Sequence, residues 1–561
     1  MSLWSSPQWI LSAWVGVDKQ VYCELSNQGG RIRTISRRSF FKLIGAAAGI
    51  TATLSACSNI DRKTAALATK GADGRNRDEI TAAISYELGT SGYDPMTATS
   101  ALTIAANWHT MEGLYEISPT PDRSVYTALA ADEPRHVDDV TYEVSLREGA
   151  AFHTGKAVTA DDVVFSFERV RDPENDSQYA AFISVIDAVE VKDPTTVIFR
   201  LKDPFNLVKE RLATIKIVPK AEVERNRKDF DALPIGTGPW KLVDNGAASS
   251  ALVFEKNPHY TGPKPAQASR MSWRILPNAS TRTHAIESKA VDAIDSVPYL
   301  SIDQVQASAD VDSVQGFGLL FVMFNQGDGS AMRDVKNRHG VMYSCDIDKI
   351  IKTGMLGQAT AATCFVQEQH DSYHKAATVY TLDKAKATQL FADTGVKKLK
   401  MLSTSHDWVK PCADIMRESL TDLGLAVTFE SQKSAKLYDY IEHSNDWDIV
   451  VAPGDPSVFG NDADLLLRWW YATDRWTDTR MHWKGTESYT RIQELLDQAA
   501  RATGEEQENL WHEIFDLLSA EVPLYPLFHR KNPSAWDADV LTGFEPIALT
   551  GLSFLDVGLR G

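Results

Sequence analysis

Two short stretches of this chain carry side chains suited to holding a small charged molecule. One is Ser403-Thr404-Ser405-His406-Asp407-Trp408 and the other Pro453-Gly454-Asp455-Pro456-Ser457. Asp407 and Asp455 can accept charge-assisted hydrogen bonds from an ammonium or amide. His406 adds an imidazole that titrates near neutral pH, and Trp408 a flat apolar face. That chemistry is binding. The signatures of turnover are absent, so no catalytic residue is expected. There is no Gly-x-Ser-x-Gly elbow. His512-Glu513 runs into Ile514-Phe515-Asp516, which leaves the zinc-protease pattern incomplete. The glycine pairs in GTGPW (236–240) and GFGLL (316–320) lack the third glycine and the basic residue of a phosphate loop. His370 and His374 stand four apart, but in a stretch that reads as loop. No metal site and no cofactor is expected.

The elements that position the two loops can be read around them. KKLKMLST (397–404) reads as a strand, and PCADIMRESLTDLG (411–424) as a helix opened by Pro411 and closed by Gly424. LAVTF (425–429), AKLYDYIEHS (435–444) and WDIVVA (447–452) follow as strand, helix and strand. Helical crossovers make such strands parallel. Ligands of open parallel sheets lie beyond the carboxyl ends of the strands. Asp407, Trp408 and Asp455 are therefore expected at one edge of one sheet. For each alone, a polar residue capping a helix is an equally good reading.

Towards the N-terminus, ITAAISYEL (80–88), TYEVSLREG (141–149) and TTVIFRLKD (195–203) read as strands. TADDVVFSFERVRDP reads as a helix with Thr159 as N-cap and Val163, Val164, Phe167 and Val170 on one face. Ahead of them lies SRRSFFKLIGAAAGITATLSACS (36–58), whose apolar run is shorter than the roughly 20 residues of a membrane span. Its Ser-Arg-Arg-Ser-Phe-Phe-Lys resembles a twin-arginine export motif, and Leu54-Ser55-Ala56-Cys57 a lipobox that would lipidate Cys57. The expectation is an exported protein held by lipid on the outer face of the cytoplasmic membrane. Residues 1–35 read as a mis-assigned start or an extra N-terminal segment, 36–57 as the signal peptide and 58–78 as a flexible tether. The formal charge of −17 becomes more acidic once the basic leader is set aside, which argues against nucleic acid. Cys345, Cys364 and Cys412 fit no zinc spacing; a Cys345–Cys364 disulfide and buried free thiols are both open.

AAFHTGKAVTADDVVFSFERVRDPEN (150–175) resembles the signature of the family 5 extracellular solute-binding proteins, the peptide- and nickel-binding receptors of ABC importers. PIGTGPWKLVDNGAASSALVFEKNPHYTGPKP (234–265) resembles that family's Gly-Thr-Gly-Pro-aromatic strand and Asn-Pro-x-Tyr turn. RTHAIESKAVDAID (282–295) and NRHGVMYSCDIDKIIKTGMLGQATAA (337–362) are looser matches. The resemblance runs from about residue 80 to about 540 and implies an α/β, two-lobed periplasmic-binding-protein-like fold of type II with an extra subdomain in lobe I. Lobe I would hold 79–315, lobe II 316–524, and 525–561 would return to lobe I, with a hinge at the two crossings. The implied protein is a monomer. It captures a small organic, peptide-like ligand and passes it to ABC permease subunits.

The resemblance also assigns roles. Asp455 matches the aspartate that takes the α-ammonium in peptide-binding members. The loop after the first strand of the βαβαβ run carries no arginine for the ligand's carboxylate, and Lys410 is a less directional substitute. Trp108 falls where lobe I approaches the ligand. Trp469 and Trp470, in DLLLRWWYATDRW (464–476), are further candidates, although adjacent helical residues point about 100° apart and cannot both face it. A sensor or envelope factor on the same fold is the alternative, as is a receptor for oligosaccharide, haem or a nickel chelate.

Overall fold

A computed structural model describes residues 10–15, 21–26, 78–87 and 92–560. The leader, Cys57 and the tether up to residue 77 lie outside the described residues. The chain forms two units, residues 1–68 and 69–561. In the first, strands Ile10–Val15 and Val21–Ser26 pair antiparallel, with Val15 opposite Val21. All that follows concerns the second.

It opens on β1 (Glu79–Ile84) and α1 (Ala101–Thr110), the helix capped by Ser100. Next come β2 (Arg135–Asp138) and β3 (Thr141–Ser145), α2 (Ala160–Arg171), and β4 (Ile186–Asp193) with β5 (Thr196–Leu201). The four strands form an antiparallel sheet in the order β2-β3-β5-β4. Alternation sets its faces: Val197, Phe199 and Leu201 are buried while Arg200 is exposed. α2 lies against this sheet with Phe167 edge-on to Phe199 at 5.0 Å. Its start is fixed by Asp162, whose Oδ2 accepts from Thr159 N (3.1 Å) and Oγ1 (2.8 Å).

After α3 (Val208–Leu212), a ribbon of β6 (Trp240–Asn245), β7 (Ala251–Lys256) and β8 (Arg270–Ile275) brings the chain back beside β1. β9 (Ala293–Ile294) precedes the long β10 (Asp310–Phe324), and β11 (Ala359–Ala361) is short. The expected βαβαβ run follows as β12 (Lys398–Thr404), α4 (Val409–Asp422), β13 (Ala426–Gln432), α5 (Ser434–His443) and β14 (Ile449–Gly454). Both β13 and β14 pair parallel with β12. α4 buries Val409, Cys412, Ala413, Met416 and Leu420, one face at helical spacing, and its Pro411 sits harmlessly in the first turn. Gly424, at φ +87°, takes the left-handed position that ends the helix. α6 (Ala463–Tyr471) and β15 (Leu524–Trp536) complete the site-bearing elements.

One sheet joins them, in the order β6-β7-β8-β1-β9-β15-β10-β14-β12-β13, with β11 on β15. β10 and β15 run antiparallel through its middle, from Asp310 opposite Trp536 to Met323 opposite Leu524. A core drawn from Phe317 to Phe528 packs around the βαβαβ half. Separate cores serve the four-stranded sheet and the β1–β8 half. This is the two-lobed α/β architecture. The register of β10 on β15 shifts between Gln315 and Leu319, across Gly316-Phe317-Gly318. A Cβ at Gly316 would lie 2.1 Å from the Ala548 carbonyl oxygen, so the GFG pair is a place of close backbone approach.

Candidate cleft site

β14 is a continuous apolar strand, with Ile449, Val450, Val451 and Ala452 fully buried, as a strand covered on both faces must be. It delivers Asp455 just past Gly454, where a Cβ would meet the Trp470 ring at 2.5 Å. The two oxygens of Asp455 have different lives. Oδ1 accepts from Ser457 N (3.2 Å) and Oγ (2.5 Å), capping the turn Pro456–Val458. Oδ2 is buried and has no hydrogen-bond partner. Burial raises the carboxyl pKa above its ordinary value, while Ser457, Arg530 and Arg123 pull it back.

Two guanidinium groups flank that carboxylate without pairing to it. Arg530 comes from β15 and is 8% exposed. Its Nη2 donates to Thr550 Oγ1 (2.9 Å), and its Cζ lies 5.0 Å from the centre of the Trp408 ring. A Cβ at Gly318 would be 3.2 Å from Asp455 Oδ2 and 3.6 Å from Arg530 Nε, so the two groups meet over the bare backbone of that glycine. Tyr86 and Tyr299 stand near the same guanidinium. Arg123 reaches in from the other side. Its Nη1 donates to Ser118 O (2.9 Å) and its Nη2 to Ser457 O, while its Nε is buried and unpartnered. Arg123 sits at φ +50°, a conformation L-residues adopt at a cost of about 1–2 kcal/mol.

The loop after β12 lies alongside. His406 is half-buried, with Nδ1 3.1 Å from Thr404 Oγ1. Burial and the neighbouring Arg530 lower its pKa, which keeps the ring neutral at pH 7. Trp408 is half-buried under Arg530, and Asp407 is exposed at the rim. Lys410 is exposed and pairs with Asp414 at 2.6 Å, so it is not turned to a ligand's carboxylate.

The tryptophans divide. Trp470 is 1% exposed, in a core of Phe317, Phe321, Phe365 and Trp476, and presents no face to the cleft. Its neighbour points away, as helical geometry requires: Trp469 stacks on Phe182 at 5.7 Å and meets the tilted ring of Phe459 at 4.8 Å. Trp108 lines a cavity of about 50 Å³ together with Asn107, Ile117, Arg123, Lys216 and Phe459. Lys216 is bound to Glu116 at 2.5 Å. Nearby, α3 is tied to the start of α6: Arg211 Nη2 bonds Asp462 Oδ1 (2.7 Å) and Asp464 Oδ2 (2.9 Å).

The histidine pair at 370 and 374 is split, His370 bonding Asn461 O (2.7 Å) and His374 stacking on His512 (4.6 Å). Among the described residues no group of three or more His, Cys, Asp or Glu could hold a metal ion. Cys345, Cys364 and Cys412 are buried free thiols, the second of the two alternatives. The motif residues of 150–175 and 234–265 bond to one another and to Asp94, away from Asp455's hydrogen bonds. His153 accepts from Gly236 N (3.1 Å) and approaches Gly238 O (3.3 Å), and Asn257 Nδ2 donates to Gly238 O (2.9 Å). Arg169 pairs with Asp94 at 2.6 Å, both buried.

Asp455 and Trp408, expected at one sheet edge, stand with His406 around Arg530, and Arg123, Tyr86 and Tyr299 join them unannounced by the sequence. None of the four falls at a spacing that marks a site. The Pro121-Asp122 turn before Arg123 was the one local signal.

Residues 124–478 match the bacterial extracellular solute-binding proteins, family 5, middle region. The glutathione-binding protein GsiB of Salmonella paratyphi A is 25% identical over 481 residues, 83% of this chain and 92% of that protein. Its counterpart in Escherichia coli K12 is 23% identical over 478 residues, with the same shares of 83% and 92%. Among solved structures, Campylobacter jejuni NikZ with Ni(L-His) superposes with a TM-score of 0.73 at 20% identity, covering 86% of this chain and 99% of NikZ. Bacillus subtilis AppA with a nonapeptide gives 0.74 at 17%, covering 86% and 99%. Helicobacter pylori DppA with the peptide STSA gives 0.74 at 21%, covering 86% and 98%.

Proposed function

The chain belongs to the bacterial extracellular solute-binding proteins of family 5, and from that premise we propose that it is a lipid-anchored receptor that delivers a short peptide-like ligand, of the size of glutathione or a few residues, to an ABC permease. The observation that carries this reading is Asp455 Oδ2, a buried carboxylate oxygen with no partner at the end of β14. Leaving such an acceptor unmet costs about 1–3 kcal/mol or more, which a ligand's ammonium would recover. Asp455 is the anchor, Trp408 and Tyr299 flank the ligand, and Asp407, His406, Trp108 and Trp469 stand further out along the cleft. Trp470 supports the loop from behind. The lobes are residues 79–315 with 525–561, and 316–524. β10 and β15 make the two crossings between them, so that closure bends the sheet where β10 carries its glycines. No helix of the described residues is long and apolar enough to cross a membrane, which accords with attachment through lipid on Cys57. The receptor works as a monomer and does no chemistry on its cargo.

Native mass spectrometry of the purified protein tests this, with glutathione and a mixed library of two- to five-residue peptides as probes. A discrete peptide mass on the wild type, weakened ten- to hundredfold by Asp455→Asn, is the expected result. Equal occupancy of both forms would remove Asp455 from the site, and no adduct with any peptide would overturn the receptor reading.

A further inference from the structure

The charges around Asp455 are unequal in number. Asp455 is one carboxylate. Arg123 and Arg530 are two guanidinium groups, and neither has a carboxylate within ion-pair distance among the described residues. The other ionisable groups near them are spoken for. Asp295 accepts from Ser85 N and Oγ at 2.7 Å and lies 3.9 Å from Arg282. Glu116 is held by Lys216. Asp122 accepts from Thr120 and Ser124 within its own turn, and Asp407 faces solvent. Arginine does not shed its proton in a protein, so the contact is left one positive charge in excess.

The three groups are also arranged for a bridging partner. Asp455 is on lobe II, Arg123 on lobe I and Arg530 on the strand between them. Ser457 already links two of them, its carbonyl accepting from Arg123 and its N–H and hydroxyl donating to Asp455. What remains is one unpartnered acceptor, Asp455 Oδ2, and one unpartnered donor, Arg123 Nε, both buried. Arg530 adds a guanidinium that bonds Thr550 and stands beside the Tyr86 and Tyr299 hydroxyls, with no carboxylate in ion-pair contact.

We propose that Arg123 and Arg530 are specificity residues for two carboxylates, so that the receptor selects peptide-like ligands with one ammonium and two carboxylates, net charge −1. This charge preference rests on the receptor reading above. The arginine missing from the loop after β12 is then replaced in space by two that arrive from a lobe I turn and from β15. With Arg123 on one lobe and Asp455 on the other, only a ligand carrying both charge types satisfies both sides of the closed cleft.

The test uses the purified full-length protein and a peptide library in which every glutamate-containing dipeptide and tripeptide is paired with its glutamine isostere. Wild type is expected to bind the glutamate member of a pair ten- to hundredfold more tightly, the range of one charge-assisted hydrogen bond. One of Arg123→Gln and Arg530→Gln should erase most of that ratio, and the other, which faces the carboxylate common to both members of a pair, should weaken both members alike. Arg530→Lys, which keeps charge without the planar fork, should keep part of it. Peptides bound with an Asp455 dependence but no preference between isosteres would overturn the charge inference and leave the receptor reading standing. If neither arginine variant reduces the ratio between isosteres, the charge inference is overturned too. Failure of every peptide to bind would bring down both readings.

Discussion

Asp455 answers a question that sequence alone leaves open, whether a loop aspartate caps a turn or meets a ligand. One oxygen does the first, through Ser457, and the other is free for the second. Stability and function therefore oppose each other at this residue. Its carboxyl pKa in the closed fold is raised above the ordinary value, chiefly by burial. A raised carboxyl favours folding below its unfolded pKa and loses that contribution as pH rises through the folded value. Asp455→Asn keeps an acceptor for Ser457 and sheds the charge. We expect the ligand-free variant to melt above wild type at pH 7 and level with it at pH 3.5, even as peptide affinity falls. A variant that melts lower at pH 7 would show that the carboxylate is comfortable without a ligand.

At the scale of elements, α3 is clamped to the start of α6 by the ion pairs of Arg211 with Asp462 and Asp464. Arg211 is 2% exposed, and Asp464 is 1%. Asp464 also takes Arg468 at 2.9 Å, so the cluster has two arginines for two aspartates. Removing one partner of a buried pair strands charge and costs about 3–5 kcal/mol. Arg211→Met should lose that much in denaturant unfolding, and adding Asp462→Asn should recover part of it by taking the abandoned charge away. A single mutant within 1 kcal/mol of wild type would mean that water, not Arg211, solvates these aspartates. Arg211 and Arg468 pair with Asp462 and Asp464 and not with Asp455, so peptide affinity in Arg211→Met reports how much binding depends on this clamp.

For the molecule as a whole, acid is the predicted weakness. His109 donates from Nδ1 to Ala105 O (2.7 Å) and accepts at Nε2 from Phe554 N (2.8 Å), which fixes it neutral. Burial takes its pKa to about 4, and His153 and His529 likewise to about 4. A lowered histidine contributes stability that is full above its unfolded pKa near 6.5 and is lost as pH falls towards 4. Each contributes up to about 3 kcal/mol across that window. Melting temperature should fall steeply between pH 6.5 and 4.5, and His109→Gln should have a shallower fall. Parallel curves for the two proteins would refute the buried neutral assignment.

Local chemistry was legible in the sequence because it is written in neighbours. The apolar run of β14, the helical face of α4 with Gly424 behind it, the Thr159 cap and the motif pairs at 150–175 and 234–265 each depend on residues close in the chain. Those patterns fixed the α/β class and put Asp455 and Trp408 at one sheet edge. The tertiary structure decided what distance along the chain conceals. Arg123 and Arg530 are about four hundred residues apart; Arg530 comes near Asp455 because β14 and β15 flank β10, and Arg123 because its turn bonds the Ser457 carbonyl. It also decided which of two adjacent tryptophans is core, since a helix places its residues around a circle and only packing says which arc is buried.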